Sequence, residues 1–522
     1  MAGCRSQEID LCFDAATATV TKIRDAIMFG EASCEDVIQS FLDRIEIYDS
    51  QGPEIGSVIA LNPDALAEAR TLDAFYEATR LLKGSLHCAP LLVKDNVDVA
   101  GLPTTGGLNA LKGMVPEVDS VPVKNARARG AIVIGKANMS PLADKEAWGN
   151  SETGGLIRNP FAPNYTTYGS SGGNGAAGAA MFTVLGFGTE TGVSVNLPSS
   201  AANLVGLRAP VSLLSQEGTL PNSPFQDVVG PMAKTVKDVV LLLDAMMQPC
   251  VSSKGYGTPE VLNKTGLSGA KISIYQDFAY NEFELPGIGA YKVDPEIGSL
   301  FTAMMSNMSQ AGATVENRTV DLATAMGSVG KMRSVDTSAC TMKARDAYFG
   351  DPERFPADAP YHSVGDVLSA GNMSEPYKTR WSAQYETYKQ NSSLCDAQTV
   401  EFMAARFEFI RTVLDPLLEG ADVAIWPAMP EFPIKLGQDA LNRNWSSETA
   451  PPINMILAGS WSAYATIDLP MGFSSPKEGA PQGLPIGAML IARPENLDKL
   501  LRIAYSYQEQ FGITKLPDFT PP

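Results

Sequence analysis

Between Tyr168 and Pro198 the chain reads YGSSGGNGAAGAAMFTVLGFGTETGVSVNLP, two glycine-rich turns holding serines on either side of an apolar run. A segment with so little side-chain bulk cannot build a core alone, so it predicts a glycine-rich helix packed closely on a sheet. Such a backbone can also present consecutive N–H groups to an anion, since no Cβ blocks close approach. The phosphate-loop pattern G-x-x-x-x-G-K-[ST] is absent and no lysine lies in the segment, so packing on a sheet is the simpler reading. The uncharged stretch Tyr165–Thr189 is too rich in Gly, Ser and Asn to be a membrane span.

The flanking sequence alternates in the manner of an α/β protein. Helices dominate the first ninety residues: Asp14 can cap one, and Ser33 with Asp36 forms a capping-box pattern before Ile38, Phe41, Leu42 and Ile45. A strand is predicted at Ser57–Leu61, then a helix opened by Pro63 and running to about Leu82. PLLVK (90–94) and AIVIG (131–135) read as strands, with a helix near 120–129 ended by Gly130. Later strands are predicted at Ile272–Tyr275, 422–426, 465–469 and 483–492, and long helices near 295–311, 398–419 and 495–511. At 522 residues the chain has a soft prior of three or four units at roughly 150 residues each. It shows no repeat and no low-complexity tail. We therefore read residues 1–522 as one domain, with a core at about 57–245 and 420–511 and a helical, pocket-forming insertion at about 250–420 that includes a polar stretch at 350–395.

Charge and rare residues exclude several functions. The balance 40 − 58 = −18 repels phosphate backbones and anionic lipid heads, which argues against nucleic-acid and membrane partners. With only His87 and His362, a Ser-His-Asp site or a histidine-rich metal centre has almost nothing to build from. His87 reads as a packing or surface residue, and His362 as a candidate to line a pocket. Seven scattered cysteines with no C-x-x-C pair support neither zinc binding nor a thioredoxin-like motif, and an odd count leaves at least one free or paired between chains. No signal peptide is visible at the N-terminus, so the sequence as it stands reads as soluble and cytoplasmic. Eight Asn-x-Ser/Thr sequons, where about three would arise by chance, keep a secreted glycoprotein with a removed signal as the other reading.

The residue that turns a packing motif into a chemical one is Lys94. It ends the strongly apolar strand PLLVK, 76 residues before Ser170. Burying an ammonium is costly unless it is paired or neutral, and a neutral amine is a base. A lysine snorkelling to solvent from the strand end is the alternative.

Taken together, PLLVKDN with PTTGG after it, GAIVIGKANMS, RNPFAPNYTTYGSSGG, GTETGVS, VGLRAPVSLLSQEGTLP, DVVGPMAKTVKDVVLLL and GLPIGAMLIARP resemble the amidase signature family over most of the chain. GTET and GPEIGSVIALNPDALAEA are most similar to its peptide-amidase branch. The resemblance implies a mixed β-sheet enclosed by helices and hydrolysis of a carboxamide through a Ser–cis-Ser–Lys triad and an acyl-enzyme. It assigns Lys94 as base and acid, Ser170 as the bridging serine and Ser194, 24 residues on, as the nucleophile. Ser171 would help to hold the lysine, and backbone N–H groups of Thr191, Gly192, Val193 and Ser194 would form the oxyanion hole. It implies no metal and no organic cofactor, a small-molecule or peptide amide as substrate, and allows a homodimer. Asp95 and Asn96 are expected to fix the turn after Lys94, and Tyr348, Phe349, Tyr361, Trp426 and Trp461 to pack in the core or line the acyl pocket.

The chain departs from that pattern near the chemistry. Tyr168 replaces the usual small residue before GSSGG, Glu190 stands where many members have Asp, and Asn196 where an Arg is frequent. Val193 falls where Gly or Asp precedes the serine, and a positive φ there would strain a β-branched residue. Three readings compete with hydrolysis: an acyl transferase making an amide, ester or C–C bond, the amidase component of a Gln-tRNA amidotransferase working with partner subunits, and an inactive binding protein.

Overall fold

The computed structural model describes residues 13–143, 150–248, 257–285, 289–391, 393–436 and 459–518. These residues form fifteen strands: β1 (Val58–Leu61), β2 (Pro90–Lys94), β3 (Ile132–Ala137), β4 (Asn150–Ser151), β5 (Gly155–Leu156), β6 (Leu185–Glu190), β7 (Val205–Arg208), β8 (Val228–Ala233), β9 (Lys271–Tyr275), β10 (Phe283–Leu285), β11 (Gly289–Tyr291), β12 (Thr314–Arg318), β13 (Val423–Pro427), β14 (Ala465–Phe473) and β15 (Pro485–Ala492). Eleven of them form one sheet in the order β1-β3-β2-β6-β8-β7-β14-β15-β13-β9-β12, while β4–β5 and β10–β11 pair as separate hairpins. Pairing within the sheet is mixed. β2 runs parallel to β3 and β6, and β9 parallel to β12 and β13. The remaining neighbours are antiparallel. The α/β fold with a large mixed sheet and many helices is the one the sequence predicts.

Every residue of β2, β3, β6, β7, β8, β13 and β15 is buried, which explains why these strands read as continuous apolar runs with no polar alternation. Helices pack on the sheet along its length: Ala65–Thr79 on β3, Val236–Met246 on β8 and Leu497–Phe511 on β14 and β15. The glycine-rich helix Gly172–Ala179 lies wholly buried between β2, β6 and β8. Its glycines answer a steric demand, since a Cβ on Gly173 would stand 2.2 Å from the carbonyl oxygen of Asn138.

The predicted boundaries hold closely for most elements, and the differences have local causes. Ser33 and Asp36 form the capping box. Asp14 caps only a short 3-10 turn, Ala15–Thr17, while Thr19 caps the first α-helix. The helix after Pro63 ends at Thr79, because Arg80 takes a left-handed conformation. The predicted helix 398–419 starts at Leu394, passes into a π-helical turn at Ile410–Leu414 and ends at Leu418. The polar stretch at 350–395 contains the helices Val364–Ser369 and Glu375–Gln390; the second is polar nearly all round and buries Tyr377 and Trp381. The middle region also gives β9 and β12 to the sheet.

Candidate active site

The ends of β2 and β6 meet at the glycine-rich helix, and the end of β7 reaches Glu190. β2 delivers Lys94, β6 delivers Thr189 and Glu190, and β7 delivers Arg208, while the helix starts at Ser171 and Gly172. Lys94 is fully buried. Its Nζ donates to Ser170 Oγ at 2.7 Å and to the carbonyl oxygen of Thr189 at 3.0 Å. No carboxylate of the described residues forms an ion pair with it. Burial therefore holds its ammonium well below the ordinary lysine range, and the more distant charges of Glu190 and Asp227 only partly oppose this.

Ser170 follows a cis peptide bond with Gly169, and its carbonyl accepts from the Ser140 amide at 3.1 Å. Ser171 reaches the lysine only through a shared acceptor: its Oγ donates to Thr189 O at 3.2 Å, the oxygen that Lys94 also uses. The Ser171 amide donates to the carbonyl of Ser194 at 3.2 Å, which pins the two serine turns together. Ser194 is 7% exposed. Its hydroxyl and that of Ser170 are not hydrogen-bonded to each other in this structure.

The loop around Ser194 is held by buried charge. Glu190 Oε2 accepts the amides of Val195 at 2.8 Å and Asn196 at 2.9 Å, and Asn196 Nδ2 donates to Glu190 Oε1 at 3.0 Å. Buried Arg208 lies 3.7 Å from Glu190 Oε1 and also donates to the Glu190 carbonyl at 2.9 Å. On the other side, Asp227 accepts from Thr191 Oγ1 at 2.6 Å and from the amides of Asn222 and Ser223, both at 2.8 Å. Between these two anchors the amides of Gly192, Val193 and Ser194 have no acceptor among the described residues. Val193 has no positive φ, so the strain that a β-branched residue would suffer there does not arise. Tyr168 is the residue in the left-handed region, at φ 55°, with its side chain buried.

The turn after Lys94 is equally fixed. Asp95 accepts from Thr105 Oγ1 and from the Gly107 amide, and pairs with buried Lys136 at 3.6 Å. Asn96 Nδ2 donates to Thr189 Oγ1 at 3.1 Å. Asp98 accepts from Tyr348 Oη at 2.7 Å and pairs with Arg354 at 3.1 Å, joining the middle region to this turn.

Among the other candidates, His87 is a buried packing residue whose Nδ1 accepts the Lys83 amide, and His362 is exposed. Tyr348, Phe349, Tyr361, Trp426 and Trp461 are all buried. Arg208, Asp227 and Lys136 are site-forming residues that sequence reasoning passed over, and Glu190 was noted only as standing where many members have Asp. The signal was there for three of them, because Glu190, Arg208 and Lys136 are ionisable residues at or near the end of an apolar strand, as Lys94 is. Asp227, in a loop, carried no such mark.

The amidase family profile matches residues 36–501. The chain belongs to the amidase family. It is 28% identical to the A component of the glutamyl-tRNA(Gln) amidotransferase of Alkaliphilus metalliredigens, over 95% of this chain and 97% of that one. Among solved structures it is similar to the native peptide amidase from Stenotrophomonas maltophilia, with a TM-score of 0.78 and 25% identity over 97% of this chain and 99% of that one. A peptide amidase in complex with the competitive inhibitor chymostatin gives a TM-score of 0.80, again at 25% identity, over 97% of this chain and all of the other. An amidase-family enzyme hydrolyses carbon–nitrogen amide bonds, and among the described residues no helix is long and apolar enough to cross a membrane.

Proposed function

We propose that this amidase cleaves a carboxamide through an acyl-enzyme, with Ser194 as nucleophile, Ser170 as proton bridge and Lys94 as base. The observation that carries the reading is the 2.7 Å contact between Ser170 and a fully buried Lys94 that no carboxylate among the described residues pairs. A neutral Lys94 takes the Ser170 proton while Ser170 takes that of Ser194, whose oxygen attacks the amide carbonyl. The developing oxyanion is met by amides of the set Thr191, Gly192, Val193 and Ser194, of which the last three have no other acceptor among the described residues. Collapse breaks the C–N bond, and the proton returns through Ser170 to the leaving nitrogen. Water then repeats the cycle on the ester. The gap in the relay, Ser170 to Ser194, is the link that catalytic sites commonly tighten when substrate binds. A peptide or small-molecule amide is the substrate class, by likeness to the peptide amidase, and the whole chain acts as one domain that needs no metal or organic cofactor.

The test is intact-mass labelling with a serine-reactive fluorophosphonate. Stoichiometric labelling of wild type, lost in Ser194→Ala and Lys94→Ala, supports the assignment. Labelling that persists in folded Ser194→Ala overturns it. Turnover of an amide panel with and without added amine then separates a hydrolase from an acyl transferase.

A further inference from the structure

Two features that the catalytic reading does not use point to the same cellular chemistry. The first is the state of the cysteines. The four in the described residues are all paired: Cys34 with Cys88, and Cys340 with Cys395. The first bridge ties the start of the helix Cys34–Arg44 to the turn before β2, and both of its cysteines are fully buried. The second joins the helices Ser338–Phe349 and Leu394–Phe409. Disulfides of this structural kind persist in oxidising compartments and are rare where thiols are kept reduced.

The second feature is where the sequons fall. The one at Asn444 lies outside the described residues. Of the seven within them, five present an exposed asparagine: Asn164, Asn263, Asn317, Asn372 and Asn391. They lie in loops, at helix ends and on an edge, open to solvent. Asn317 is on β12, the terminal strand of the sheet, where a bulky glycan would also blunt an open edge. Asn372 and Asn391 flank the helix Glu375–Gln390. At Asn263 and Asn391 the side-chain oxygen already accepts from a nearby hydroxyl, Thr265 at 2.9 Å and Ser393 at 2.8 Å, the third residue of the sequon in each case.

The other two sequons are structural. Asn138 is fully buried, and its Nδ2 donates to the carbonyls of Gly56 at 2.9 Å and Gly155 at 3.3 Å, so a substituent on that nitrogen is incompatible with the fold. Asn307 is half-buried within the helix Pro295–Gln310, where its side chain bonds Tyr507.

From this sorting we propose that the enzyme matures in an oxidising secretory compartment, where both disulfides close and N-linked glycans are attached at Asn164, Asn263, Asn317, Asn372 and Asn391, leaving Asn138 and Asn307 bare. Each disulfide forms as two thiols lose two electrons and two protons to a disulfide-bearing oxidoreductase, which is reduced to its dithiol. In each glycan transfer Asn Nδ2 bonds to C1 of a lipid-pyrophosphate-linked oligosaccharide. The C1–O bond to pyrophosphate breaks, Nδ2 gives up a proton and the lipid pyrophosphate leaves.

The experiment uses the full protein from the organism that makes it. Free thiols are alkylated before reduction, and peptides are treated with peptide-N-glycosidase in heavy-oxygen water and mapped by mass spectrometry. The expected result is labelled aspartate at sites of the exposed set, none at Asn138 or Asn307, and Cys34–Cys88 and Cys340–Cys395 recovered as linked peptides. Bare asparagine at all five exposed sites overturns the proposal, as does alkylation of these four cysteines in the unreduced protein. Glycan on Asn138 overturns the sorting by burial. Because glycans and disulfides do not enter the amide chemistry, failure here leaves the assignment of Ser194 untouched.

Discussion

Lys94 and Lys136 sit on neighbouring parallel strands, both fully buried, and they face different partners. Lys136 has a carboxylate, Asp95, at 3.6 Å, and further acceptors in Pro103 O at 2.9 Å and Thr104 Oγ1 at 3.2 Å. Lys94 meets only a hydroxyl and a carbonyl. Burial lowers the pKa of both; at Lys136 the adjacent charge of Asp95 works against it, whereas at Lys94, which has no ion pair among the described residues, the opposing charges of Glu190 and Asp227 are more distant. Burial alone thus makes no base. Neutral acceptors around a buried lysine leave burial free to favour the amine, whereas a facing carboxylate favours the ammonium.

The largest effect that tests this contrast is loss of Lys94. Lys94→Ala should lower kcat/KM for an amide by about 10²–10⁴-fold, the usual range for a general acid–base group, with little loss of thermal stability. The pH profile sharpens the point. Because the base must be neutral and its pKa is depressed, kcat/KM should rise with pH and level off well below the ~10.4 of a free lysine. A rise that continues to pH 10 would mean that Lys94 is held as an ammonium.

Lys136→Met should do the reverse. It leaves Asp95 buried without its cation, at a cost of about 3–5 kcal/mol in urea unfolding, while the remaining folded enzyme keeps its response to pH. A third and smaller effect concerns the carboxylate beyond this turn. Burial pushes Asp98 up to about 6, above its ordinary 3.8. Its folded pKa is raised, so the stabilisation is complete below about pH 4 and is lost as pH rises through 6. That is a change of up to roughly 3 kcal/mol, and Asp98→Asn should flatten it in thermal melts across that window. The smallest effect is expected at Val193. Since its φ is not positive, Val193→Gly should change kcat by less than about fivefold, within the 0.5–1 kcal/mol entropic effect of a glycine. A large gain would show that valine distorts the loop.

Much of this contrast was legible in the chain. PLLVK ended where predicted, and Lys94, Ser170 and Ser171 came together from the segments that carry the resemblance to the amidase signature family. Lys136 stands inside an equally apolar strand, yet the letters gave no means to tell its role from that of Lys94. The difference lies in Asp95, which is adjacent to Lys94 in sequence but pairs with Lys136 in space. The same holds for Glu190. It read as a departure from a usual Asp, whereas in the structure its longer side chain ties down the amides of Val195 and Asn196. The cysteine pairs were hidden for a plainer reason, because residues 54 and 55 positions apart carry no local sign of partnership.

What the sequence alone determined was the set of elements and the chemical inventory. Runs of apolar residues bury themselves as strands, glycines permit a close helix, and a lysine, two serines and few histidines narrow the chemistry, all through short-range properties of the chain. What only the tertiary structure decided was pairing: which buried amine faces a carboxylate, which amides at Ser194 are left without acceptors among the described residues, and which asparagines reach solvent. Desolvation and Coulomb interactions depend on what lies within a few ångströms in space, and in a sheet with the order β1-β3-β2-β6-β8-β7-β14-β15-β13-β9-β12 those neighbours come from distant parts of the chain.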